Sequence, residues 1–276
     1  MAITAADVNK LRKQTGAGMM DCKNALVETD GDFEAAVDVL RKKGQKVAAK
    51  RGDNEAKEGV VFAQATTDGK TGVVLALNCE TDFVAKNDDF RNFVQSLVDI
   101  AIAKLPSSTE ELLNAAYNEK LSVNEKIIEQ VGVVGEKLDL SGFEVLKAEK
   151  VVAYNHPGNQ LATLVGLNSG SDVADDAGKQ VAMQVAAMNP LSLNKEGIDA
   201  DTIARELEVG KDLAIQEGKP AEMAVKIAEG RLNKFFKENT LLSQDFVRDS
   251  KMSVEQFLSS SEKGLTIVDF KRIALG

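Results

Sequence analysis

Apolar residues at three- and four-residue steps, interrupted by glycines, open the chain. Val8 and Leu11 share one helical face behind a Thr4/Asp7 pair with capping-box spacing, which predicts a short helix to about Gln14. Thr15-Gly16-Ala17-Gly18 stops it, and Met19 and Met20 sit on a tight turn before a second helix over about Asp21 to Glu28. Flexible methionines suit an irregular interface or a small core, and spacing leaves both open. Asp32 is placed to cap a third helix through Phe33, Ala36, Val37 and Leu40, with Gly44 as its stop. Three short helices predict a compact module over residues 1–52, followed by a basic linker over 53–59.

The period then changes. Val60 to Thr66 and Val73 to Leu77 are apolar runs separated by a stretch containing Asp68-Gly69, the signature of a β-hairpin. A helix over about Asp88 to Lys104 carries Phe90, Phe93, Val94, Leu97 and Ala101 on one stripe that must pack on that hairpin, and Pro106 ends it. Weaker helices over about Thr109 to Asn118 and Ser122 to Val131 close a first α+β subdomain, residues 60–137. A second set of strands opens near Leu138, with Phe143 to Tyr154 and Leu161 to Leu167 joined as a hairpin across Asn155-His156-Pro157-Gly158-Asn159. A helix over about Asp172 to Met188 follows, so the order hairpin then helix occurs twice.

Residues 201–240 read as an antiparallel helical hairpin turning at Gly218-Lys219-Pro220. Ile203, Leu207 and Ala214 face one way on the first arm, and Val225, Ala228, Leu232 and Phe235 on the second, which suits a coiled-coil-like projection. Leu241 to Val247, a helix near Val254 to Ser259, and a strand over Leu265 to Leu275 returning to the second sheet complete the chain. The expected class is α+β with antiparallel sheets. A three-helix module precedes two α+β subdomains, and the second, 138–276, carries the arm as an insertion at about 199–240.

Between the first hairpin and its helix lies Asn78-Cys79-Glu80-Thr81-Asp82-Phe83-Val84-Ala85-Lys86, a loop that sets a carboxylate beside a large aromatic ring. Loops carried by rigid elements are favoured sites for binding residues, and an exposed Phe is costly unless a partner covers it. Two arrangements satisfy the residues. Phe83 either points outward, or folds back onto the local core while Asp82 caps the following helix.

Composition narrows the functional classes. The formal charge of -9 argues against general nucleic-acid binding, yet residues 1 to 57 hold 11 basic and 9 acidic side chains, net +2, leaving -11 for the rest. Arg41, Lys42, Lys43, Lys46, Lys50 and Arg51 form a run without an intervening acid, suited either to phosphate or an acidic surface, or to a solvated helix end. No apolar run reaches the ~18 residues of a membrane span, and the start lacks a signal-peptide pattern, so the expected compartment is the cytoplasm. Cys22 and Cys79 then read as reduced thiols, and two Cys with one His supply no usual zinc site. Gly69-Lys70-Thr71 fails as a phosphate loop, because position 64 is Gln and a strand follows. His156 has no sequence neighbour to make it an acid or base, and no nucleophile pairs with a base. The expectation is a non-enzyme without cofactor, metal or catalytic residues.

Two stretches resemble the elongation factor Ts family, bacterial guanine-nucleotide exchange factors for elongation factor Tu. One runs from Leu11 to Leu26 (LRKQTGAGMMDCKNAL) and the other from Asn78 to Lys86. Gly218-Lys219-Pro220, Glu229-Gly230-Arg231 and Phe246-Val247 extend the resemblance over nearly the whole chain. Departures fall at Ala76, where the family usually has Glu, at the linker residues Asp53 to Lys57, and at Arg248, where a related protein has an apolar contact.

The resemblance implies a UBA-like N-terminal module and a coiled-coil arm. It also implies that Thr81, Asp82, Phe83 and Val84 wedge near the magnesium and nucleotide of the GDP-bound partner GTPase. Leu11, Met19, Met20, Lys23, Arg51, His156 and Val247 join the implied contact set. The chain itself is expected to bind no nucleotide, to need no nucleic acid and to touch no membrane. The arm leaves two uses open, partner contact and dimerisation, the latter giving a homodimer or a two-to-two complex.

Overall fold

The computed structural model describes residues 3–276; the start read above as lacking a signal peptide includes Met1 and Ala2, which lie outside the described residues. Three helices come first: α1 (Ala5–Thr15), α2 (Met19–Glu28) and α3 (Phe33–Arg51). The Thr4/Asp7 capping box forms, and Asp32 caps α3 by accepting the N–H groups of Glu34 and Ala35. Their shared core is small, built on Val8, Leu11, Cys22, Leu26 and Ala36.

Gly44 does not end the third helix, which runs seven residues further to Arg51. The glycine is buried where α3 crosses α7 (Val123–Val134), opposite Gly132. A Cβ on Gly132 would lie 2.7 Å from the Gly44 Cα, and one on Gly44 would lie 2.9 Å from the Ile128 carbonyl oxygen. A bare backbone is needed because the two helices touch there, so the residue that resembles a stop is a contact.

The hairpin comprises β1 (Glu58–Ala65) and β2 (Thr71–Cys79), so the expected linker gives way to strand at Glu58. After it come the single-turn helix α4 (Asp82–Ala85), α5 (Asp88–Lys104) and α6 (Thr109–Asn114), then α7. The expected helix to Asn118 ends at Asn114, because Ala115 turns extended and the chain bends back to bridge Ala116 with Ser122.

The apolar stretch Phe143 to Tyr154 is two strands in two sheets. β3 (Asp139–Lys147) pairs with β2, completing a β1-β2-β3 sheet, whereas β4 (Lys150–Asn155) pairs with β5 (Leu161–Leu167). The strands that open near Leu138 therefore begin in the first sheet. Phe143, Val145 and Leu146 of β3 and Val151 and Val152 of β4 read as one apolar stretch, because the two-residue break at Ala148-Glu149 carries no strong turn signal. The remaining elements are α8 (Asp172–Met188), α9 (Ala200–Gln216), α10 (Ala221–Asn239), the short pair β6 (Asp245–Phe246) and β7 (Asp249–Ser253), α11 (Val254–Ser261) and β8 (Ile267–Ala274). β8 lies antiparallel to β5, as the sequence pattern implies.

The two three-stranded antiparallel sheets pack face to face. Alternation along β2 sends Val73, Leu75 and Leu77 under α5 and α7, and Val74 and Ala76 toward the other sheet. Along β5, Val165 and Leu167 face α8 and α11, while Ala162 and Leu164 meet the first sheet. The layers run helix, sheet, sheet, helix. Close approach of the sheets rests on Gly72 and Gly166, where a Cβ would come within 2.7 Å of Val151 and 2.6 Å of Leu146 respectively. Ala76 is fully buried in this inter-sheet layer, where a Glu carboxylate would be desolvated.

The turn between β4 and β5 closes the free edge of the first sheet. The Asn155 side chain accepts from Ala63 N–H at 2.8 Å and donates to the Ala63 carbonyl at 2.9 Å, and the Asn159 carbonyl accepts from Val61 N–H at 2.7 Å. One side-chain amide thus imitates a paired strand.

The α9–α10 hairpin packs chiefly on itself. Gly210, Ala214, Ala224 and Ala228 are buried between its helices, and Arg231 spans them to the Gly210 carbonyl and the Glu217 carboxylate. Val225, expected on the inner face, is 46% exposed, because Ala224 holds the inner position. At its base, Leu191 N–H donates to the Asn239 carbonyl and Leu241 N–H to the Ser192 carbonyl.

Candidate functional site

Phe83 points outward. Its side chain is 82% exposed, on the second residue of α4. Thr81 is the N-cap, its hydroxyl accepting the Val84 N–H, and Ala85 and Val84 root the turn in the core under β1 and β2. Asp82 does not cap the next helix; Asn87 does, accepting from Asp89 N–H at 2.7 Å. Asp82 pairs instead with Lys86, Oδ2 to Nζ 2.6 Å, and that ammonium holds its carboxyl below the usual carboxylate range.

A turn this short has too few internal bonds to be stiff, and two carboxylates supply the rest. Glu136, between α7 and β3, accepts Glu80 N–H at 3.1 Å and Thr81 N–H at 3.0 Å on one oxygen and the Thr81 hydroxyl at 2.6 Å on the other. Glu80 accepts both a 2.8 Å and a 2.9 Å bond from Arg51 Nη1, one from Asn54 Nδ2 at 3.0 Å, and Lys137 N–H at 2.6 Å. The Lys137 N–H above all, then Arg51 and Asn54, holds the Glu80 carboxyl below its ordinary value of 4.5. Lys137 in turn donates through Nζ to the carbonyls of Gly52 and Asn54. The end of α3, the start of the Phe83 turn and the α7–β3 connection are therefore one hydrogen-bonded unit.

Cys79 lies beneath, fully buried, its thiol 3.2 Å from the Thr81 carbonyl. Burial first, and the nearby Glu136 charge second, push its pKa up to about 12, so it stays a thiol at neutral pH. Both cysteines are free.

The other expected contacts are scattered. Met19 and Met20 are 53% and 64% exposed, and with Lys23, Ile3 and Val8 they line an open groove of about 290 Å³ on the three-helix module. Leu11 departs from expectation: it is fully buried in that module's core and presents nothing to a partner. Arg51 donates through Nη1 to Glu80, which ties the module to the turn, while its side chain remains 38% exposed. His156 is exposed in the β4–β5 turn, Nδ1 3.0 Å from the Tyr154 hydroxyl. Val247 is half exposed, and its neighbour Arg248 reaches Gln180 at 3.3 Å.

The run Arg41 to Arg51 is paired in part: Lys42, Lys46 and Lys50 are exposed, and the other three cations meet acids. Arg41 meets Glu125 and Asp38, Lys43 meets Asp21, and Arg51 meets Glu80. Sequence reasoning missed Glu136 altogether. Its only signal is a lone acid after Gly135 in a polar connection, and its partner lies 55 residues away.

Among the described residues no three His, Cys, Asp or Glu side chains cluster to hold a metal, and no helix is long and apolar enough to cross a membrane. The distinctive surface is a stiffly mounted ring rather than a lined cavity.

Comparison with known proteins gives that surface a setting. A family model described as "Elongation factor TS" matches residues 80–276, beginning at the Phe83 turn. Proteins named elongation factor Ts from Christiangramia forsetii and Flavobacterium psychrophilum are each 52% identical over 99% of both chains, and the Porphyromonas gingivalis protein of that name is 46% identical over 100% of this chain and 99% of its own. By class the protein is therefore a translation elongation factor, working in protein biosynthesis. Within that class the chain belongs to the elongation factor Ts family.

Proposed function

We propose that this protein is the guanine-nucleotide exchange factor for elongation factor Tu, a cytoplasmic protein that binds its partner in the GDP-bound state and speeds GDP release. The observation that carries the reading is the 82% exposed Phe83 ring on a turn clamped from two sides. A rigid apolar projection loses little conformational entropy on docking, so more of its burial energy is available to distort the partner's site. A wedge that fits only the distorted site weakens nucleotide binding by the same factor that nucleotide weakens the wedge, and such couplings are typically ~5–150-fold. Displacing Mg²⁺, the largest positive charge beside the phosphates, weakens GDP further.

In this reading Thr81, Asp82, Phe83 and Val84 act at the magnesium and nucleotide site. Met19, Met20 and Lys23 of a UBA-like module hold another face, and His156 and Val247 reach further surfaces. The factor itself performs no chemistry and holds no nucleotide or cofactor. Its working units are residues 1–52, the first sheet with its helices to residue 147, and the second sheet to residue 276 with the arm as a coiled coil. The test is release of labelled GDP from elongation factor Tu. The wild-type protein accelerates it and Phe83→Ala slows it sharply; equal rates for the two would sink the reading.

A further inference from the structure

Glu136 stands apart from the other acids of the chain. Its two oxygens receive three donors, and all three belong to Glu80 and Thr81, the two residues that lead into α4. Charge-assisted bonds of this kind are about twice as strong as neutral ones. By accepting the Thr81 hydroxyl proton, Glu136 also leaves that oxygen's lone pair free for Val84 N–H, a long 3.5 Å bond at the N-cap of the helix that carries Phe83. The neighbouring Lys137 N–H binds back to Glu80, so the α7–β3 connection and the turn grip each other reciprocally.

The geometry points to Glu136 as a positioning residue for nucleotide release: it acts through Thr81 to hold the Phe83 ring at the angle at which it docks. The inference rests on the exchange reading above, and its test separates the two. A ring about 1 Å out of place forfeits rate without forfeiting the separate methionine surface, so the maximal rate suffers and the concentration for half-maximal effect changes little. A glutamine at 136 keeps a carbonyl for the two backbone N–H groups but loses the charge and turns a donor toward the Thr81 hydroxyl, so it preserves part of the hold.

Labelled-GDP release from elongation factor Tu is measured against concentration for the wild type, Phe83→Ala, Glu136→Ala and Glu136→Gln, with hydrogen exchange at the Glu80 and Thr81 amides. Glu136→Ala is expected to lower the maximal rate about tenfold, with half-saturation within about threefold, and to expose both amides while β2 stays protected. Glu136→Gln falls between the wild type and Glu136→Ala, recovering part of the rate. An unchanged maximal rate for Glu136→Ala beside a slow Phe83→Ala overturns the positioning role alone, as does unaltered exchange at both amides. Should Glu136→Ala fail to fold, a Glu136→Gln protein whose Glu80 and Thr81 amides exchange faster at an unchanged maximal rate also overturns it. A wild type that leaves GDP release unaccelerated overturns both readings.

Discussion

Two residues that the family resemblance places in one contact set, Phe83 and Leu11, have opposite energetic roles. Phe83 is a large ring left in water, so Phe83→Ala is expected to change the melting free energy by less than about 0.5 kcal/mol, as for other surface changes. Leu11 is fully buried in a small core, and Leu11→Ala is expected to cost about 2–5 kcal/mol of the module's stability. Thermal or denaturant melts of the two variants beside the wild type check the contrast. The motif that carries the family resemblance contains both kinds of residue, because a short helical module must keep its own core while showing a surface. Met19 and Met20, left open by spacing, fall on the surface side. Periodicity identifies Leu11 as apolar on a helix face; that α2 and α3 cover this face themselves, rather than leaving it to a partner, is a tertiary fact that no local pattern encodes.

Elements were legible where one force dominated. α5 and α8 begin and end at the residues their stripes and breakers predict, since a wide apolar face on a sheet outweighs other preferences. The third helix outruns its apparent stop because glycine carries two meanings, a left-handed stop and a place where backbones meet, and only the tertiary partner decides. That partner is Gly132, equally mute in sequence. Gly132→Val is expected to push α7 off α3 and cost about 1–3 kcal/mol as overpacking, loosening the attachment of the three-helix module before the sheets are disturbed. Limited proteolysis of the 52–57 connection, compared with a melt of the whole protein, separates the two. The strand misplaced between sheets had a comparable cause. The apolar residues of β3 and β4 follow one another without a turn signal, and sheet membership is settled by the bulge-containing register with β2, which composition does not reveal.

For the whole molecule, the sequence conveyed the class, the repeated hairpin-then-helix plan and the helical hairpin, but not how the parts lock. That locking is polar. Arg51, Asn54, Glu80, Glu136 and Lys137 come from three separated segments, and their long-range pairing leaves no periodic trace. One titration follows from it. Glu80 is held below its ordinary 4.5 in the folded chain, so its bonds stabilise the fold above that pH and are lost as pH falls through the lower folded value. Glu80→Gln is expected to lower the melting temperature at neutral pH and to lose less on acidification than the wild type. Calorimetry across an acid series checks it, with convergence of the two proteins at low pH as the expected outcome.

The helical arm leaves the body and returns to it through adjacent backbones, Leu191 beside Asn239 and Ser192 beside Leu241. Entry and exit are stitched together, so the arm's length is decoupled from the geometry of everything beneath it. Whole turns inserted or deleted in matching pairs would move the tip and leave both sheets where they stand. Reach is thus an adjustable quantity in this architecture, whereas the angle of the Phe83 ring is not.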